Sequence, residues 1–299
     1  MIKKQIIHLY YCIKSIIKHP LQTIKEFSSD VKKDRKSYLY KSKNYFVWCA
    51  GLPKSGTTLI EKIFEHLPYV PMKYSLKRIY APIHLDHEHG VSKAMFSNIP
   101  QRKYTFLKTH THYSENYEKI GLNKNAKIII SLRDIRDMMI SRYYHVLAET
   151  THRHHKAIKD LSFEEGFIKS LKIKEKETDS TPLEVYYYWI YNWIKIANKK
   201  KYLILWYENY ANSPVEYIQK ILNYIDFKEF SAVELQNKIK DISQKRSDLK
   251  KNLSNYGRAR STFRSGQINQ WKKMFNENIS NTFNLSLPKP IKHILNAEK

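Results

Sequence analysis

Gly51-Leu-Pro-Lys-Ser-Gly-Thr-Thr58 gathers a lysine, three hydroxyls and two glycines into one short segment. That combination suits a polyanion. Small residues ahead of a helix let backbone N–H groups converge, and the helix N-terminus adds partial positive charge. The glycines carry weight because the whole chain has only 7, so each is expected to answer a backbone need. The spacing is G-x-x-x-x-G, as in a P-loop, with one decisive difference. Thr57 stands where a nucleotide kinase places its lysine, and Lys54 lies earlier, inside the loop. A lysine there can sit beside a bridging oxygen that becomes a leaving group and stabilise its charge. A second cluster, Arg133-Asp-Ile-Arg-Asp-Met-Met-Ile-Ser141, sets a guanidinium and a hydroxyl eight residues apart. Such a pair can grip one phosphate.

The elements that must hold these groups alternate in kind. Tyr45–Ala50 (YFVWCA) is an unbroken apolar run, the pattern of a strand buried on both faces. The glycine loop follows it, and TTLIEKIFEHL then has helical apolar spacing. Tyr104–Leu107 and Lys127–Leu132 read as two more buried strands, with Asp134 placed to cap a helix through Met138, Ile140 and Tyr144. Residues 182–198 open on Pro182 and predict a long helix. Tyr202–Trp206 is a further strand, and Pro214 opens a helix through Ile225. Together these predict an α/β fold, a P-loop-like single domain with a central, mainly parallel β-sheet flanked by helices. Residues 149–181 are polar and His/Lys-rich and are expected to include a mobile loop, and the tail from about Gly257 shows little periodicity.

With strand, loop and helix in that order, Pro53–Thr58 (PKSGTT) resembles the 5′-phosphosulfate loop of sulfotransferases that use 3′-phosphoadenosine 5′-phosphosulfate, PAPS. The resemblance implies that Lys54, Ser55, Gly56, Thr57 and Thr58 hold the 5′-phosphate and stabilise the departing oxygen. Arg133 and Ser141, followed by Tyr143-Tyr144, are similar to that family's 3′-phosphate motif. Phe106-Leu-Lys-Thr-His110 resembles the Lys-Thr-His of the cytosolic branch. This implies His110 as general base, since a neutral imidazole can take a proton near pH 7, and Lys108 as a partner of the sulfuryl oxygens. Trp206-Tyr-Glu-Asn resembles the family's Tyr-Glu-Asp strand end, implying Tyr207 at the adenine. Phe263-Arg-Ser-Gly266 with Gln270-Trp-Lys272 resembles a segment that closes over the 3′-phosphate, implying Arg264, Ser265 and Gly266 as donor contacts.

The likeness runs from about residue 45 to 275. It implies in-line sulfuryl transfer from PAPS to an acceptor hydroxyl or amine, with PAP as product and no metal required. A small molecule or a glycan is the implied acceptor, contacted from 69–100 and 146–182. The sequence also departs from the family pattern. Thr111-His112 replaces the usual Leu-Pro, Leu59 stands where a tryptophan stacks on adenine, and Ser265 replaces a lysine. Gln244 falls where the other adenine face expects an aromatic. His112 and Glu61 are the reserve base candidates.

Bulk properties agree with an anionic partner. The 299 residues are 42% hydrophobic, enough for a sizeable core, and 53 Lys/Arg against 28 Asp/Glu give a net charge of +25. Residues 1–44 carry eleven Lys/Arg against three Asp/Glu and predict a basic, helical N-terminal extension ahead of a domain over 45–299. No run there approaches the ~20 apolar residues of a membrane span; weak membrane-surface contact is the most it suggests. Cys12 and Cys49 lie far apart and imply no disulfide framework, so a cytoplasmic protein is expected. Two rival readings exist. A P-loop kinase or NTPase needs a lysine at 57 and a carboxylate at a strand end, where this chain has Thr57 and Arg133. A non-catalytic binder of acidic glycan or nucleic acid explains the charge but not the ordered motifs, and nucleic acid is not expected as a partner. His84, His87 and His89, like His152, His154 and His155, lack metal-ligand spacing and read as exposed loop histidines.

Overall fold

The computed structural model describes residues 46–71, 104–115, 118–119, 126–174, 179–240 and 266–288. The basic extension, the histidines at 84–89, Gln244, Arg264 and Ser265 lie outside the described residues. Five strands form one sheet: β1 (Phe46–Gly51), β2 (Val70–Pro71), β3 (Thr105–Thr109), β4 (Ala126–Leu132) and β5 (Leu203–Trp206). Their order is β2-β3-β1-β4-β5, and every pairing is parallel. All six residues of β1 are buried, which is why its sequence is apolar without alternation.

Helices cover both faces. Phe46, Trp48 and Ala50 point into a core shared with α2 (Ile135–Ala148), α4 (Phe163–Lys172) and α5 (Pro182–Lys200). Val47 and Cys49 point into the opposite core, with α1 (Thr57–Glu65), α7 (Pro214–Tyr224) and a helical stretch at 232–240. The chain leaves β1 through α1 toward β2, and leaves β4 through α2, on the other face, toward β5. Neighbouring strands whose connections diverge in this way open a crevice at their carboxyl ends. Here the crevice lies between β1 and β4.

The region from 149 to 181, expected to include a mobile loop, carries helical structure among its described residues. It contains α3 (His155–Ile158) and α4. Ser162 and Glu165 form a reciprocal capping box, and Phe167 and Leu171, four apart, are buried on one face. Between them Lys169 faces solvent, while Ser170 is buried and donates to Phe167 O at 2.7 Å. The described part of the tail, 266–288, contains α8 (Trp271–Met274) and α9 (Glu277–Ser286), with Asn276 accepting from the N–H of Ile279 and with Ile279 and Phe283 buried. In α5, Thr181 and Glu184 form a second capping box ahead of Pro182. Its aromatic run divides by face: Tyr186, Tyr187 and Trp189 are buried, while Tyr188 is 48% exposed.

Candidate active site

The loop after β1 owes its shape to close approach. A Cβ on Gly51 would lie 2.4 Å from Thr57 Cγ2 and 2.8 Å from Ser131 Cβ. Ser55 Oγ donates to Leu52 O at 2.8 Å, and Ser131 Oγ donates to Ser55 O at 2.9 Å, tying the loop to the end of β4. Lys54 (φ 74°) and Gly56 (φ 97°) both take the left-handed conformation on either side of Ser55. That alternation turns successive N–H groups toward one concave side. Gly56 is the N-cap of α1, and no side chain caps the helix, so its first-turn N–H groups are the donors that a helix leaves for an anion. Gly51→Ala is expected to cost about 2–4 kcal/mol through overpacking. A urea midpoint equal to wild type would contradict the packing just described.

Lys54 is half-buried, and burial lowers its ammonium from 10.5 to about 8. At the start of the same loop, His110 Nδ1 contacts Gly51 O. A carbonyl only accepts, so Nδ1 carries the proton and the lone pair resides on Nε2. Anchors on both sides hold this histidine. Thr109 Oγ1 accepts from Trp48 Nε1 at 2.9 Å, and Thr111 O accepts from Trp189 Nε1 at 2.7 Å and Trp193 Nε1 at 3.1 Å. Lys108 Nζ meets Glu61 Oε2 at 2.7 Å, with Glu61 1% exposed. Glu61 is therefore engaged with Lys108, and His112 is exposed.

The opposite wall begins where β4 ends. Arg133 is 6% exposed; its Nη2 donates to Gln267 O at 2.6 Å and lies 3.6 Å from Asp137 Oδ2. Its Nε is buried and makes no hydrogen bond among the described residues, which leaves one strong donor for an anion. The guanidinium stands 4.8 Å from the ring centroid of Tyr207, in the range of a cation–π contact. Tyr207, at the start of α6 (Tyr207–Asn212), also packs against Gly56, where an added Cβ would meet its Cδ2 at 2.8 Å. Its hydroxyl donates to Gly266 O at 2.8 Å. Ser141 is half-buried on α2, two helical turns beyond Arg133.

The structure thus brings the 51–58 loop, Lys108, His110, Arg133, Tyr207 and Gly266 to one edge of the sheet, with Ser141 farther along α2. Three supporting residues were not singled out from sequence. Asp137, fully buried, accepts from the N–H of Asn269 at 2.7 Å and of Trp271 at 3.1 Å, and so pins the 266–271 segment over Arg133. Glu208 accepts from the N–H of Asp134 at 3.0 Å, and Ser131 ties the loop as described. The sequence offers only a weak pointer to Asp137, its place four residues after Arg133.

The histidines at 152–155 are not exposed loop residues as expected. His154 is buried and His152 and His155 are half-buried, because α3 folds this stretch against α2. Among the described residues, no group of three or more His, Cys, Asp or Glu is arranged to hold a metal ion. No helix among them is long and apolar enough to cross a membrane.

A parallel α/β sheet with an anion loop after its central strand, a lysine inside that loop and an arginine at the neighbouring strand end defines a P-loop-like nucleotide-site protein without the kinase lysine. A family model described as the sulfotransferase domain matches residues 46–288. The chain belongs to this family and is a sulfotransferase, which decides against the kinase and non-catalytic readings. A search of curated proteins finds no match. Solved structures share the fold. Mouse sulfotransferase SULT7A1 complexed with PAP is 18% identical, with 84% of this chain and 86% of that chain covered and a TM-score of 0.57. Retinol dehydratase in a complex with retinol and PAP is 17% identical, covering 86% and 84%, with a TM-score of 0.52. The same enzyme with androsterone and inactive cofactor PAP is 17% identical, covering 87% and 84%, with a TM-score of 0.52.

Proposed function

We propose that the protein transfers a sulfuryl group from PAPS to the hydroxyl or amine of a small-molecule or glycan acceptor, in line, with His110 as general base and Lys54 at the leaving oxygen. The observation that carries this reading is the pairing of two anion-ready ends across one crevice. On one side is the uncapped N-terminus of α1 with Lys54. On the other is Arg133, with a buried Nε that lacks a hydrogen bond among the described residues. A nucleotide with phosphates at both its 5′ and 3′ positions has the charge pattern to meet both. The structures similar in fold contain PAP, a nucleotide of that kind, which supports the same choice here.

PAPS supplies an activated sulfuryl group, and the chain's own residues do the rest. The N–H groups and hydroxyls of Ser55, Thr57 and Thr58 hold the 5′-phosphate, while Arg133, Ser141 and the segment carrying Arg264, Ser265 and Gly266 hold the 3′-phosphate. Tyr207 lies between these ends, at the adenosine. His110 Nε2 takes the acceptor's proton as its oxygen or nitrogen bonds to sulfur. The S–O bridge breaks with its electron pair remaining on the 5′-phosphate oxygen, where Lys54 stabilises the charge. Lys108 faces the sulfuryl oxygens from the end of β3.

Calorimetry with PAP tests the donor site. Wild type is expected to bind it, and Arg133→Ala to weaken binding by about ten- to a hundredfold, the worth of a charge-assisted hydrogen-bond set. The turnover of that variant at saturating donor should change much less. Absence of PAP affinity in the wild-type protein sinks the proposal. Affinity unchanged by Arg133→Ala removes Arg133 from it.

A further inference from the structure

We propose that His145 and His152, backed by Arg142 and His154, form an anion subsite beside Lys54, so that the acceptor carries a carboxylate or comparable acidic group besides the atom that receives sulfur. This rests on the reading above, in which Lys54 marks the sulfuryl end of the donor.

The geometry is a chain of three imidazoles with an arginine behind it. His145 lies in the last turn of α2, and its ring centroid is 6.5 Å from that of His152, which is 5.2 Å from that of His154. Arg142, only 8% exposed, reaches His154 Nδ1 at 3.2 Å. A guanidinium only donates, so His154 Nδ1 accepts. The backbone N–H of His154 in turn donates to His152 Nδ1 at 3.1 Å. Both rings therefore carry their proton on Nε2, and His152, the half-buried one of the two, is suited in this tautomer to bind an acceptor atom and not a cation. His155 is directed elsewhere, its Nδ1 against Val146 O at 3.1 Å.

The surrounding charge has one dominant sign. Burial and then the ammonium of Lys54 lower the pKa of His145; Arg142 adds to this, and Glu149 opposes it. Burial, Arg142, His154, His145 and Arg153 together push His152 down to about 4. The groups that act on the two rings are thus Lys54 from the loop, Arg142 and Glu149 from α2 and its end, and Arg153 and His154 from the turn before α3. Neutral donors amid an excess of cations form a site that an anion stabilises on arrival. A bound anion favours the protonated form of His145 and draws a proton onto it, while His152 keeps Nδ1 as the acceptor of the His154 N–H and donates from Nε2. The net charge of +25 would steer such an acceptor from a distance.

The test uses the full chain saturated with PAP. PAP affinity is measured first, so a failed donor site is recognised separately from a failed acceptor site. 3-(4-Hydroxyphenyl)propionate and tyramine are then titrated; they share a phenol and a two-carbon arm and differ in the sign of the terminal charge. The carboxylate is expected to bind at least about tenfold more tightly. It should also take up protons at pH 6, seen as a difference in heat between two buffers of unlike ionisation enthalpy. His145→Phe and His152→Gln should each reduce both the preference and the proton uptake while retaining PAP affinity, which also reports that the variant is folded. Equal affinities, a preference for tyramine, no measurable carboxylate binding at millimolar concentration, or a preference unaltered in both variants overturns the proposal.

Discussion

Lys54→Ala is expected to lower turnover by roughly 10²–10³, the usual cost of removing one preorganised charge donor from a transition state, while the protein becomes no less stable. The two halves of this expectation have one cause. Lys54 is half-buried, and burial disfavours its ammonium in the folded protein and lowers its pKa from 10.5 to about 8. The sign follows from linkage. Below about pH 8 the lysine is charged in both folded and unfolded chains, and burial of that charge counts fully against folding. Above about 10.5 it is neutral in both and the penalty vanishes. Alanine removes the penalty at neutral pH, so the unfolding midpoint should hold or rise. Local destabilisation in return for function is a common feature of active sites. The same shift predicts a pH profile. The ammonium is the useful form, so kcat/KM for the donor should decline as pH rises past about 8, because that ratio reports the free enzyme. In Lys54→Arg this alkaline limb should disappear even if turnover is low. A Lys54→Ala enzyme with wild-type turnover removes Lys54 from the leaving-group position.

The parts of this site that are contiguous in the chain could be read from it, and those that converge from afar could not. Gly51–Thr58 carries its own context, an apolar strand before and an amphipathic helix after, so its residue types and backbone requirement are visible together. The Asp134 cap and the proline starts at 182 and 214 are likewise local, and the helices begin where these residues place them. Asp137 belongs to the other kind. Within its own helix it reads as one more solvated acid. Its role appears only when Asn269 and Trp271, more than a hundred residues on, present their N–H groups to it. The histidines of 145–154 are a similar case: they become a cluster because α3 and α4 fold back on α2, and the capping box that starts α4 lies in a stretch whose polarity suggests a loop. Glu61 shows the reverse error, a carboxylate eligible as a base by position that the fold commits to Lys108.

His110 can be tested in a way that separates its chemistry from its placement. Its Nδ1 is tied to Gly51 O, and the residues on either side are anchored to Trp48, Trp189 and Trp193. Asparagine can place an N–H near Nδ1 and retain the bond to Gly51 O, but it offers nothing at the position of Nε2. His110→Asn should therefore retain PAP affinity and fold while kcat falls by roughly 10²–10⁴, the range typical of a lost general base. The loss should depend on the acceptor. A phenol that is protonated at neutral pH needs its proton removed during attack and should suffer the full effect. A nitrophenol that is already ionised has no proton to give, so most of its rate should survive. An equal loss with both acceptors means that His110 positions the acceptor and does not take its proton, because a positioning defect has no reason to discriminate between an alcohol and its conjugate base. A pronounced difference between them identifies Nε2 as the proton's destination and fixes the direction of acceptor approach, from the β3 side of the crevice, opposite Arg133.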